Sequence, residues 1–385
     1  LALTAGACAG QPADVASSAA AQTAPAPAIN ALFEQYDAAQ LAASPQGKSY
    51  RGVRDSDYGR WDDMSDAADE RSHQLLQGTA ERMRRDYDPA QLPAADALSY
   101  RLFDALAQRR ASLHPYRGYG YLFDQMNGAQ SELPAFLINI HRVSNESEAL
   151  AYVSRIEGMG AALDTLTAES RERAEKGVMP PKWVYPYVIS DIENLLAAGD
   201  ENAVLQDFET KTNALKLSPA EWQALADAAK AAWNGSARPA YQRLLAEMQR
   251  QQAIAPTDDG VWRFPDGDKY YAALLASYTT TDLTADQIHD LGLSEVARIH
   301  GEMREIMRQV GFTGSLQDFF AFTRDDPRFY HTTREGYLAD AQRYMAAMEA
   351  KLPEFFVTLP KDPLVIKPVE AFREQSAGKA FYQSP

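Results

Sequence analysis

The sequence predicts an all-α protein of mostly long helices, with at most a few short edge strands. Apolar residues recur at helical spacing from residue 29 onwards, capping motifs open several of those stretches, and alternating strand patterns are sparse. With 45% hydrophobic and 24% charged residues among 385, the chain is globular and long enough for one large core or two moderate ones.

Taken in order, "INALFEQYDAAQLAAS" is amphipathic and ends before Pro45, because a proline disfavours helix in the residue ahead of it. "MSDAADERSHQLLQGTAERMRRDY" and "AADALSYRLFDALAQRRASL" read as two further helices. "ELPAFLINIHRV" fits a short strand or a buried helix. The long stretch after it takes Asn145 or Ser147 as its cap and Gly177 as its stop. In "LSPAEWQALADAAKAAWNG", Ser218, Pro219 and Glu221 form a capping box with proline at the first helical position, and Asn234-Gly235 supplies the stop. Thr284 with Gln287, and Thr332 with Glu335, repeat the box. "DPLVIKPV" reads as one edge strand. No repeat of 20–50 residues is present.

The first eight residues, "LALTAGAC", resemble the end of an export signal running into the only cysteine, Cys8. Cys8 is then either a lipid-modified anchor or an incidental thiol in a cleaved signal. Residues 9–29, rich in Ala, Ser, Pro and Gln, form a tether, and residues 30–385 form the helical domain. This start predicts an exported lipoprotein held to a membrane of the bacterial cell envelope, on its periplasmic side. A net charge of -15 excludes nucleic acid as a partner, since phosphates demand clustered Lys and Arg. A single cysteine leaves neither a disulfide framework nor a thiolate metal site.

Chemistry is harder to find. The six histidines form no His-x-x-x-His or His-Glu-x-x-His pair, and no nucleophile elbow, Walker loop or Rossmann fingerprint occurs. Ile288, Val296, Ile299, Met303, Ile306 and Val310 share one helical stripe, with His289 inside it and His300 at its flank. Those histidines lie about 16 Å apart along a helix axis, too far to share an ion. His289 is a buried imidazole or a substrate-facing one, and Gly292 on the same stripe suits a close helix approach. Tyr270 and Tyr271 precede this helix. Tyr116, Arg117, Tyr119 and Tyr121 form an aromatic cluster with one cation, suited to a peptide or sugar groove or to a packed helix junction. Asp62-Asp63, Asp258-Asp259 and Asp325-Asp326 read as caps and turns, because adjacent side chains point apart. His289, Tyr270, Tyr271, Arg117 and Tyr119 are the substrate-cleft candidates; no residue qualifies as catalytic or as a metal ligand.

"YYAALLASYTTTDLTADQIHDLGLSEVARIHGEM", "DDPRFYHTTREGYLADAQRYMAAMEAKLPEFFVTLP" and "GVMPPKWVYPYVISDI" resemble the domain of unknown function 885 family of bacterial, often lipoprotein-type, proteins. The likeness covers most of residues 30–382. It implies a helical architecture like that of gluzincin zinc metallopeptidases, whose His-Glu-x-x-x-Gly-His stretch lies C-terminal to the matched region. No such stretch occurs here, so the resemblance implies a chain cut at both ends. Zinc is then expected only in the full-length protein, with a peptide as substrate, and this fragment is expected to be inactive and to expose apolar surface. The alternative is a non-enzymatic envelope lipoprotein that binds peptides or protein partners through helical grooves.

Overall fold

The structure, a computed structural model, describes residues 28–374, 376–378 and 380–382. Cys8 and nearly all of the tether lie outside them; its last residue, Ile29, is buried and opens the first helix. The described residues form helices and no strand, so the all-α expectation holds.

Four helices make the first layer: α1 (Ile29–Ala42), α2 (Pro45–Tyr50), α3 (Asp66–Asp86) and α4 (Ala94–Leu113). Ile29, Leu32 and Met83 close one small core between them, and Leu76, Ala80 and Ala107 another. The main core surrounds α6 (Glu146–Glu175), whose Tyr152, Ile156, Met159 and Leu163 recur at spacings of three and four and are fully buried. Asn145 caps α6 by accepting from the Glu148 amide, and Gly177, at φ 82°, lets the chain turn left-handed beyond its end. Around α6 stand α5 (Ala129–Asn139), α7 (Tyr185–Ala197), α8 (Ala203–Asn213), α9 (Pro219–Ala232) and α10 (Arg238–Ile254).

"ELPAFLINIHRV" is mostly the buried helix α5, despite Pro134 inside it. A proline removes the amide that would meet the carbonyl four residues back. That carbonyl, on Gln130, instead accepts the buried Tyr241 hydroxyl at 2.9 Å. At the other end, Lys211 Nζ donates to the carbonyls of Leu137, Ile138 and His141, each at 2.8 Å, with Asp207 at 2.7 Å as its counter-charge. A cation at a helix C-terminus satisfies orphan acceptors and opposes the helix dipole. Lys211→Met is therefore expected to cost about 3 kcal/mol, because it strands three acceptors and a carboxylate together. Urea unfolding of the variant checks this.

Asn234-Gly235 was expected to stop a helix and does not. The chain passes from α9 to α10 through one π-helical turn, Trp233–Ala237. The bulge presses the backbone against α6, where Ser236 Oγ donates to the Glu157 carbonyl at 2.5 Å. A Cβ on Gly160 would fall 2.2 Å from that hydroxyl, so only glycine admits the approach. The tertiary contact overrides the local stop signal.

The remaining helices form an arm: α11 (Gly267–Thr279), α12 (Ala285–Gln309), α13 (Leu316–Asp325), α14 (Arg334–Glu349) and α15 (Leu352–Phe355). Both capping boxes at Ser218 and Thr284 are formed. The third shifts by one residue: Thr333, not Thr332, caps α14, and its hydroxyl accepts from the Gly336 amide. "DPLVIKPV" is extended coil rather than an edge strand, since Pro363 and Pro368 remove donors and no strand lies beside it among the described residues. The α12 stripe is not a core face: Val296, Ile299, Ile306 and Val310 are 49%, 38%, 50% and 65% exposed. His289 is exposed too, which overturns its reading as a buried imidazole, and nothing approaches Gly292. Only Met307 and Leu316 are buried within residues 281–366, where α12 meets α13.

Candidate functional site

Of the residues singled out from sequence, the structure gathers the tyrosines into one knot. The helical turn His114–Tyr119 ends α4, and the turn Val261–Arg263 leads into α11. Between them the Tyr119 ring sits 5.1 Å from Tyr270, 5.4 Å from Phe264 and 5.6 Å from Tyr116, and Tyr116 is 5.4 Å from Tyr270. Most of these pairs are tilted or edge-on, the arrangement aromatic quadrupoles favour. Tyr119 Oη donates to the Pro265 carbonyl at 2.6 Å, and Arg263 donates to Tyr121 Oη at 2.9 Å. Burial raises the Tyr121 and Tyr270 phenols above their ordinary range, so both stay protonated and act as packing and hydrogen-bonding groups. The cluster is thus the helix junction that roots the arm.

Arg117 faces away from the knot. Its guanidinium holds both oxygens of Asp66, at 2.7 and 3.0 Å, in a two-pronged pair at the start of α3. Tyr271 is 46% exposed, and His289 takes no part in the knot. The five candidates therefore do not converge on one point. Two of the acid pairs act as caps and turns: Asp62 accepts from Ser44 and the Gln46 amide, Asp63 from Ser65, and Asp326 caps the turn Pro327–Phe329, whereas in the third Asp259 accepts from the Trp183 indole at 3.0 Å.

His73 and His114 stack at 3.6 Å, and His114 Nε2 meets Glu70 at 2.8 Å. Burial pulls His73 below its ordinary range, with His114 adding to the effect. Among the described residues no group of three or more His, Cys, Asp or Glu is placed to hold a metal ion. Zinc therefore finds no fitting donor set among them.

Two hollows remain. Beside the knot, Tyr121, Phe123, Arg173, Met248 and Gln251 line a cavity of about 10 Å³, enough for a water. A groove of about 350 Å³ runs between residues 59–64 and α6, floored by Trp61, Met64, Gly158, Ala161 and Ala162. It is wide enough for an apolar side chain.

Sequence reading missed the interior polar centres. Arg155 lies on the buried face of α6 between Tyr152 and Ile156, and a cation inside an apolar stripe was the available signal. Lys211 and Asp191 left none, since each is defined by partners far along the chain.

Fold and site together define an all-α protein with a buried-core bundle, an aromatic root and an arm whose apolar face is uncovered among the described residues. The chain belongs to the bacterial proteins of unknown function DUF885, whose family model matches residues 45–385. No curated protein matches. Two solved structures share the fold, each described as a putative lipoprotein. The one from Colwellia psychrerythraea is 21% identical, covers 89% of this chain and 62% of its own, and has a TM-score of 0.79. The other, of unknown function, from Shewanella oneidensis, is 16% identical over 88% of this chain and 60% of its own, with a TM-score of 0.55. The chain thus spans less than two thirds of the length of these structures.

Proposed function

We propose that the chain is the helical, envelope-anchored part of a zinc-dependent peptidase. In this reading it walls a peptide-binding cleft, while zinc and its ligands come from protein beyond these 385 residues. The observation that carries it is the bare apolar face of α12 on a chain shorter than its structural neighbours. A helix face of Val and Ile left in water is a surface awaiting a partner. Lipid modification at Cys8 would supply the anchor on the periplasmic side, in keeping with the lipoprotein descriptions of both neighbours. The second reading is a non-enzymatic envelope lipoprotein that binds peptides through helical grooves, which the groove beside Trp61 favours.

The test uses the complete gene product, assayed for bound zinc by mass spectrometry and for cleavage of a peptide library with and without chelator. Bound zinc and hydrolysis abolished by chelation are expected, and the 385-residue chain alone should show neither. Hydrolysis indifferent to chelator overturns the zinc reading; peptide binding with no hydrolysis establishes the second one.

A further inference from the structure

Among the described residues the arm leaves the bundle at the aromatic root, where α11 lies along α4, and meets it again after α15. After α15 the chain runs as coil and reaches the bundle at Glu370, where the turn Ala371–Arg373 begins. Here Arg373, only 5% exposed, bridges two acids: its Nε meets Glu370 at 2.7 Å and its Nη1 meets Glu132 of α5 at 3.3 Å. The other Glu370 oxygen accepts from Asn139, at the end of α5. Ser376 Oγ donates at 2.8 Å to Asp191, a 4% exposed carboxylate on α7. Arg334 of α14 holds Glu374 at 2.7 Å, tying this seam to the arm. Among the described residues, these are the hydrogen bonds shown between residues 281–382 and the bundle.

The bonds that close the seam join polar side chains, with Val369 and Phe372 half-buried beside them. Burial lifts both receiving acids, Glu132 and Asp191, above their ordinary range, while Arg373 and Ser376 draw them back toward it. An apolar seam of this length would be permanent, whereas hydrogen bonds and ion pairs exchange for water at small net cost. Segments held by few apolar contacts open well before the whole fold does. We propose that residues 370–374 together with Ser376 are a releasable clasp: Glu132, Asn139 and Asp191 are its receptor, and release frees the arm to swing about the aromatic root. This rests on the clasp geometry and not on any peptidase activity.

Hydrogen exchange of the whole chain tests it, because the Arg373, Ser376 and Ala377 amides are bonded within the closed turn. In the native chain these amides should exchange more slowly than those of residues 356–366 and much faster than those of α6. Ser376→Ala and Glu132→Gln should each speed exchange at 370–377 by about tenfold and leave α6 unchanged. Exchange in step with α6 would make the segment a permanent part of the core, and exchange as free as in 356–366 would mean no clasp. Either overturns the proposal.

Discussion

Replacing Arg155 by methionine is expected to destabilise the bundle by about 4 kcal/mol, as unfolding in urea or guanidinium will read. The guanidinium is fully buried on α6 and donates to the Arg60 carbonyl at 3.0 Å, His141 Nδ1 at 3.0 Å and Ser49 Oγ at 2.8 Å. Its plane is enclosed by Phe136, Tyr58 and Trp61, at 4.8, 5.2 and 5.8 Å. Methionine keeps most of the volume but strands those acceptors and removes the side-chain bonds from α6 to Ser49 and Arg60, leaving Trp61 Nε1 on the backbone carbonyl of residue 155 at 2.8 Å. Burial without a touching carboxylate pulls Arg155 down to about 10, still charged at neutral pH.

The same centre predicts how stability follows pH. His141 donates from one nitrogen to the Glu148 carbonyl and accepts from Arg155 at the other, so its neutral form is the one that fits. Burial, then the adjoining guanidinium, depress it from 6.5 to about 3. Below pH 6.5 the unfolded chain takes up a proton that the folded one refuses. Stability should fall as pH drops from 6.5 to 3, by about 1.4 kcal/mol per unit from this group, and His141→Gln should flatten that slope.

Helix content was legible because it is written locally. The Ser218 and Thr284 boxes, the Asn145 cap and the α6 stripe each sit within one or two turns of chain. Where reading failed, a distant partner decided. Gly160 and Ser236 carry the chain through Asn234-Gly235, and Tyr241 makes Pro134 tolerable in α5. The tyrosine cluster was visible as a cluster, yet its role as a junction depended on Phe264 and Tyr270, some 145 residues on. On α12 the apolar pattern was legible but the exposure of His289 was not, because periodicity identifies an apolar face without saying whether anything covers it.

That uncovered face yields a prediction whose sign depends on context. Val296 and Ile306 stand on the exposed stripe of α12, about half accessible each. In the 385-residue chain alone, Val296→Asp and Ile306→Asp should leave the melting temperature nearly unchanged and reduce self-association, read by sedimentation velocity, since the charges enter water. In the complete gene product, a second wall packed over α12 would force each carboxylate into an apolar contact. There each substitution should cost about 3 kcal/mol, the lost burial of a Val or Ile plus the desolvation of a charge. A general loss of helix stability would act alike in both backgrounds, so only a covering wall reverses the sign. Equal and harmless behaviour in both would leave the face open to solvent in the whole protein, and the cleft-wall reading would fall with it.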